Sequence, residues 1–320
     1  MYFPFFRGKQ FELLAIRELS TFVSSNHIFP IIEPVKRSTN ALKVALDSLV
    51  QHDIKFLTII NPACGELVKT SQPIVDFLNT NYSEYKCCYR GIIISNNSSL
   101  ADIKKLIADT MYQYFFVYTG VPVDIQAIID ELSNMPQVVG HIFDTDNFPN
   151  IYCKKIKRKH PEYCVCLKDC FNKCKNADYP NVELFSEQHL DYENETCCGF
   201  SDYLIAGKEY SETGGPAFAI ALHLTFFDQS NEDIMYIYHF VSDSIETSKD
   251  PAGKFLESLD KMIKIIDNPR DGTVFDSLAC EEFRRLHSEQ HYPGLGYLKK
   301  LSMLHHVQII NDYLAEKNDE

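Results

Sequence analysis

The feature that most restricts the fold is a rhythm, in which short β-branched and aromatic runs alternate with segments whose apolar residues recur at helical spacing. The run 28–35 (IFPIIEPV) precedes a helical pattern over 41–50, where Leu42, Ala45, Leu46 and Leu49 share one face. The order then returns: strand 55–60 before a helix near 73–79, strand 91–95 before 100–109, strand 113–118 before 124–134, and strand 138–144. Ahead of them, a short opening strand and a turn at Arg7-Gly8-Lys9 lead into a helix striped by Phe11, Leu14, Ala15 and Leu19. Continuous apolar cores such as Ile92-Ile93-Ile94 suit strands covered on both faces, as parallel sheets require. At least five such units in succession predict an α/β protein, either a barrel or a doubly wound sheet, with right-handed crossovers. No Gly-rich dinucleotide fingerprint follows any strand, so the expectation is a (β/α) barrel-like architecture, complete or irregular.

After Asp144 the rhythm breaks. A loop with some helix covers 146–158, a strand 163–167, and a polar, turn-rich stretch 172–194; the run 201–206 is the candidate for the last barrel strand. An antiparallel hairpin is expected from 217–227 against 234–242, around the polar loop 228–233. Helices are expected over 251–266, 277–289 and 294–315, the first capped by Asp250 with Pro251 at its first position. The expected division is a barrel-like domain over 1–262, hairpin included, with a helical extension over 263–320 packed on it.

A formal charge of −13 argues against a protein that coats nucleic acid non-specifically, because phosphate binding needs a local excess of Lys and Arg. One basic run stands out, Lys154-Lys155-Ile156-Lys157-Arg158-Lys159-His160; it reads as a solvated loop, with contact to a phosphate or acidic partner as the alternative. The apolar start stops at Arg7, short of a signal peptide, and no run approaches the ~20 apolar residues of a membrane span. Eleven cysteines, an odd number, are then expected as thiols in the reducing cytoplasm.

Chemistry has three candidate locations. Parallel α/β folds place functional groups at strand C-terminal ends, here Glu33, Asn61, Asn96, Asp144 and Asp146. Glu33 beside Lys36, and Asp144 beside Asp146, suit acid–base work or a divalent cation, against the plainer role of capping the next helix. In the hairpin, His223 and His239 face one side if the register pairs them, with Asp202, Glu209 or Asp243 to orient them; a slip of one residue would part them. The loop Ser211, Glu212, Thr213, Gly214, Gly215, Pro216 offers amides that would cradle an anion, against the plainer reading of a tight turn. The thiols Cys153, Cys164, Cys166, Cys170 and Cys174 have partly zinc-like spacing, but Cys164 and Cys166 on one strand would point the same way along a stiff rod. Small buried hydrophobes are their plainer role, so no metal ligand set is assigned and no cofactor is indicated.

The segments MYFPFFRGKQFELLAIREL, IFPIIEPVK, NKCKNADYP, ELFSEQHL, GFSDYLIAGKEYSETGGPAFAIALHLTF, HFVSDS and DPAGKFLESLDK resemble a bacterial sce-type family, akin to the phage beta-protein family and found in two-gene cassettes near phage-resistance genes. The resemblance implies a component of anti-phage defence that acts with the neighbouring gene's protein, and it transfers no catalytic residue. Cys170 and Cys174 stand where relatives are expected to lack cysteine, which weakens a family-wide metal site there. Two functional expectations follow: a defence component engaging a partner protein, or a barrel hydrolase acting on a phosphate-containing or nucleotide substrate. The second draws on Glu33, Asp144, Asp202, His223 and His239 as catalytic residues and on Ser211, Thr213, Gly214 and Gly215 for the anion.

Overall fold

Eight of the apolar runs lie side by side as parallel strands. In a computed structural model, which describes residues 1–68, 70–133, 135–160, 163–212, 218–269, 273 and 277–319, the first unit comprises Met1–Asp169 and Gln188–Tyr203. Its elements begin β1 (Phe5–Arg7), α1 (Gln10–Leu19), β2 (Ile31–Glu33), α2 (Asn40–Gln51), β3 (Phe56–Ile59), α3 (Gln72–Tyr82), β4 (Cys88–Ile94) and α4 (Leu100–Leu106). There follow β5 (Tyr114–Tyr118), a helical turn α5 (Ile125–Ala127), β6 (Val138–Asp144), α6 (Asn150–Lys159) and β7 (Cys164–Lys168). After an excursion of the chain through β8 (Val182–Ser186), α7 (Gln188–Asp191) and β9 (Gly199–Asp202) complete the unit.

The parallel sheet runs β1-β2-β3-β4-β5-β6-β7-β9. A parallel bridge from Tyr2 to Phe200, with the Phe3 N–H donating to the Phe200 carbonyl at 2.8 Å, brings its first and last strands together into a nearly closed barrel. Alternation along each strand sends Phe5, Ile31, Leu57, Phe115, Ile142 and Val165 into one interior cluster. Gly140 makes room for Phe115: a Cβ there would stand 2.0 Å from Phe115 Cε1. The expected helix over 124–134 is instead the short α5 continued by a π-helical turn at Ile128–Leu132.

The second unit comprises Cys170–Glu187 and Leu204–Glu320. It holds β8, β10 (Ala221–Asp228) and β11 (Ile234–Val241), in an antiparallel sheet of order β10-β11-β8, and three helices, α8 (Pro251–Ile266), α9 (Leu278–Ser288) and α10 (Leu295–Asp319). Asp250 caps α8 as its position suggests, accepting the Gly253 N–H at 2.9 Å. α10 docks on β10 through His305, whose Nε2 lies 2.7 Å from the Thr225 carbonyl, and His306, whose Nδ1 lies 2.9 Å from the Thr225 hydroxyl. The hairpin thus belongs with the C-terminal helices. Among the described residues, no helix is long and apolar enough to cross a membrane.

Candidate functional site

In the first unit, the alternation that fills the barrel with apolar groups continues two residues further and sets charged groups at the strand ends. Arg7 ends β1 and Glu33 ends β2; the two are register partners, with Arg7 Nε 3.6 Å from Glu33 Oε2. Glu33 is 3% exposed and accepts the Ala63 N–H at 2.7 Å. Burial raises its carboxyl above the ordinary value, against the opposing pull of the Ala63 amide and Arg7. Burial and the Glu33 charge together push the neighbouring Cys64 thiol up to about 12, so it is no thiolate nucleophile at neutral pH. The Arg7 guanidinium lies 5.3 Å from the centre of the Tyr203 ring. Burial, then the charges of Asp144, Glu33 and Asp169, hold the Tyr203 hydroxyl protonated, although Arg7 acts in the opposite direction. That shared influence places the three acids in one neighbourhood around Tyr203.

Asp144 ends β6 almost fully buried, and its carboxylate accepts the Asn147 amide at 3.0 and 3.1 Å and the Asp146 N–H at 3.2 Å. Asp202 is buried as well, but alternation puts it on the face opposite Ser201, outside the barrel, where it accepts the Tyr2 hydroxyl at 2.7 Å. Asn61 extends the ladder, exchanging two hydrogen bonds with the Ile93 backbone at 2.8 and 2.9 Å. Asn96 accepts the Val121 N–H at 2.7 Å, and exposed Asp146 accepts the Asp169 N–H at 3.4 Å. Lys36 pairs with Glu66 at 3.0 Å. Of the strand-end candidates, Glu33 and Asp144 therefore gather near Tyr203, while Asn61 and Asn96 hold backbone.

In the second unit, β10 and β11 pair His223 with His239 in register, and their Nδ1 atoms approach to 2.7 Å. His239 Nε2 lies 3.0 Å from Glu183 Oε1 on β8, and Glu183 Oε2 accepts the Asn172 amide at 3.0 Å. The carboxylate can only accept, so His239 carries its proton on Nε2 and presents a lone pair at Nδ1. His223 must then donate from Nδ1, which leaves its Nε2 as the basic end of the relay. Tyr179 stacks on His239, centroids 4.5 Å apart and 18° from parallel, and meets His223 edge-on at 4.9 Å. Burial, followed by His239 and Lys299, holds His223 well below its ordinary pKa; burial also lowers His239, although Glu183 pulls the other way. Both rings are neutral at neutral pH, as proton acceptance requires.

The orienting acid is Glu183, not Asp202, Glu209 or Asp243. Asp202 belongs to the first unit, Glu209 pairs with Lys173 at 3.5 Å, and Asp243 pairs with Lys261 at 2.6 Å. Glu183 was hidden because the stretch 172–194 reads as polar and turn-rich, although it contains β8. In the sequence Arg7 looks like part of a turn; its position one strand from Glu33 is the available signal. Of the anion-loop candidates, Ser211 is exposed, whereas Thr213, Gly214 and Gly215 lie outside the described residues. The thiols Cys153, Cys164 and Cys166 belong to the first unit and Cys170 and Cys174 to the second; among the described residues, no three His, Cys, Asp or Glu side chains gather as a metal site. Comparison with protein-family models, with curated proteins and with solved structures found no match to this chain.

Proposed function

We propose that the protein is a hydrolase acting on a phosphate-containing substrate, with the Glu183–His239–His223 relay of the second unit supplying the general base. The relay itself carries the reading. Two neutral imidazoles in series with a carboxylate take a proton at one end and stabilise the resulting charge at the other. Lys299, whose charge bears on His223, favours an anionic substrate. The cellular setting we propose is the two-gene anti-phage cassette implied by the resemblance, in which a neighbouring protein co-purifies with this one.

The test is turnover across phosphomonoesters, phosphodiesters and nucleotides. Glu183→Gln and His223→Ala should each lower kcat by about 100-fold or more, the usual contribution of a positioned general base. Unchanged rates in both folded variants, or no turnover by the wild-type chain in any of the three classes, would remove the reading.

A further inference from the structure

The basic run on α6, which the relay leaves without a role, borders two adjoining cavities of the first unit. One, of about 280 Å³, has the aromatic side chains Phe143, Phe148 and Tyr192 among its walls. The Phe143 and Phe148 rings lie 9° from parallel with centroids 6.0 Å apart and are almost fully buried, so half-buried Tyr192 is the aromatic ring most open to a ligand. The second, of about 450 Å³, is lined by Lys154 and Arg158, and the two share Asn150, Lys157 and Glu195. The first approaches the lower end of the roughly 300–1,000 Å³ range of small-molecule sites, and the second falls within it.

Charge distinguishes the two halves. Lys154 and Arg158 are exposed, one helical turn apart on α6, and neither has a carboxylate partner among the described residues. Their neighbours are engaged: Lys155 donates to Gln126 at 2.9 Å, and Lys159 lies 3.5 Å from Asp130. Between the cavities, Lys157 is 9% exposed; it donates to the Glu195 carbonyl at 2.5 Å and sits 3.6 Å from the Glu195 carboxylate. With Lys168 in the aromatic cavity, four cations line the pair of cavities against two acids, Asp191 and Glu195. On a chain of net charge −13, this is a local reversal of sign.

We propose that these adjoining cavities bind a nucleoside phosphate, the aromatic cavity taking the base and the Lys154–Arg158 mouth the phosphate. A half-buried ring such as Tyr192 accepts the π-face of any base, and an arginine with a lysine one turn away is a suitable cradle for a phosphate. The site lies between α6 and α7 on the outer side of β6 and β7, and it does not depend on the relay in the second unit.

The experiment is calorimetric titration of the full chain with AMP, ATP, their guanine and pyrimidine counterparts, adenosine, and inorganic phosphate. At least one nucleotide should bind about tenfold or more tighter than both adenosine and phosphate, because each half of the site contributes. The exposed-residue double variant Lys154→Glu/Arg158→Glu should fold as the wild type does and lose about tenfold or more in nucleotide affinity. Tyr192→Ala should weaken nucleotide binding while leaving any phosphate binding unchanged. Glu183→Gln should bind nucleotide like the wild type, which separates failure of this site from failure of the relay. Nucleotides that bind no tighter than phosphate, or that bind the double variant equally well, overturn the proposal.

Discussion

The sulfur atoms of Cys166 on β7 and Cys197, just ahead of β9, lie 3.1 Å apart as free thiols. Their hydrogen bond and burial raise the Cys166 pKa, so at neutral pH the Cys166 thiol is protonated and slow to react. Diamide, a two-electron thiol oxidant, should link these two residues in preference to other pairs, faster at pH 9 than at pH 7. Cys166→Ser should abolish the product seen by peptide mass mapping under non-reducing conditions. Cross-linking mainly through other cysteines would contradict the geometry.

The buried pair Arg7–Glu33 should be far more sensitive than the exposed pair Lys36–Glu66. Arg7→Ala leaves a carboxylate at 3% exposure without its cation, a change that typically costs about 3–5 kcal/mol. Lys36→Ala removes one partner of a pair exposed on both sides and screened by solvent, and should leave stability almost unchanged. Urea unfolding of the two variants decides this; equal losses would show that burial of the pair does not matter.

Asn61 bonds both polar groups of the Ile93 backbone, so Asn61→Ala leaves a buried N–H and C=O without their side-chain partners. A loss of about 2 kcal/mol is expected, with kcat of any turnover unchanged. A fall in kcat with stability intact would return this residue to the catalytic candidates.

His141 is 1% exposed, and burial, then the His160 charge, lowers its pKa to about 3. Below about pH 6.5 the unfolded chain protonates this imidazole while the folded chain does not, so the unfolded state binds the extra proton. Its contribution is therefore complete above pH 6.5 and declines toward pH 3, by roughly 1.4 kcal/mol per pH unit. The unfolding free energy of His141→Gln should depend less steeply on pH between 6 and 5 than that of the wild type. A steeper dependence in the variant would reverse the assigned sign.

Much of the barrel was legible because its signals are local. Runs such as Ile92-Ile93-Ile94 bury both faces of a strand, and Leu42, Ala45, Leu46 and Leu49 mark the inner face of α2, whatever the rest of the chain does. The register of His223 with His239 was also within reach, since one short loop joins their strands. β8 escaped because Val182 and Leu184 are exposed on a strand whose partner β11 lies some fifty residues further on.

The sequence alone determined the order of β1 to β6 and of the helices α1 to α4 between them, because alternation and helical spacing act over a few residues and need no distant partner. Tertiary structure alone decided that Glu183 orients His239, that Arg7 meets Glu33, and that the basic face of α6 borders a cavity. Such pairings depend on which strands become neighbours and how the helices seat on them, a property of the assembled sheets that no short window of residues contains.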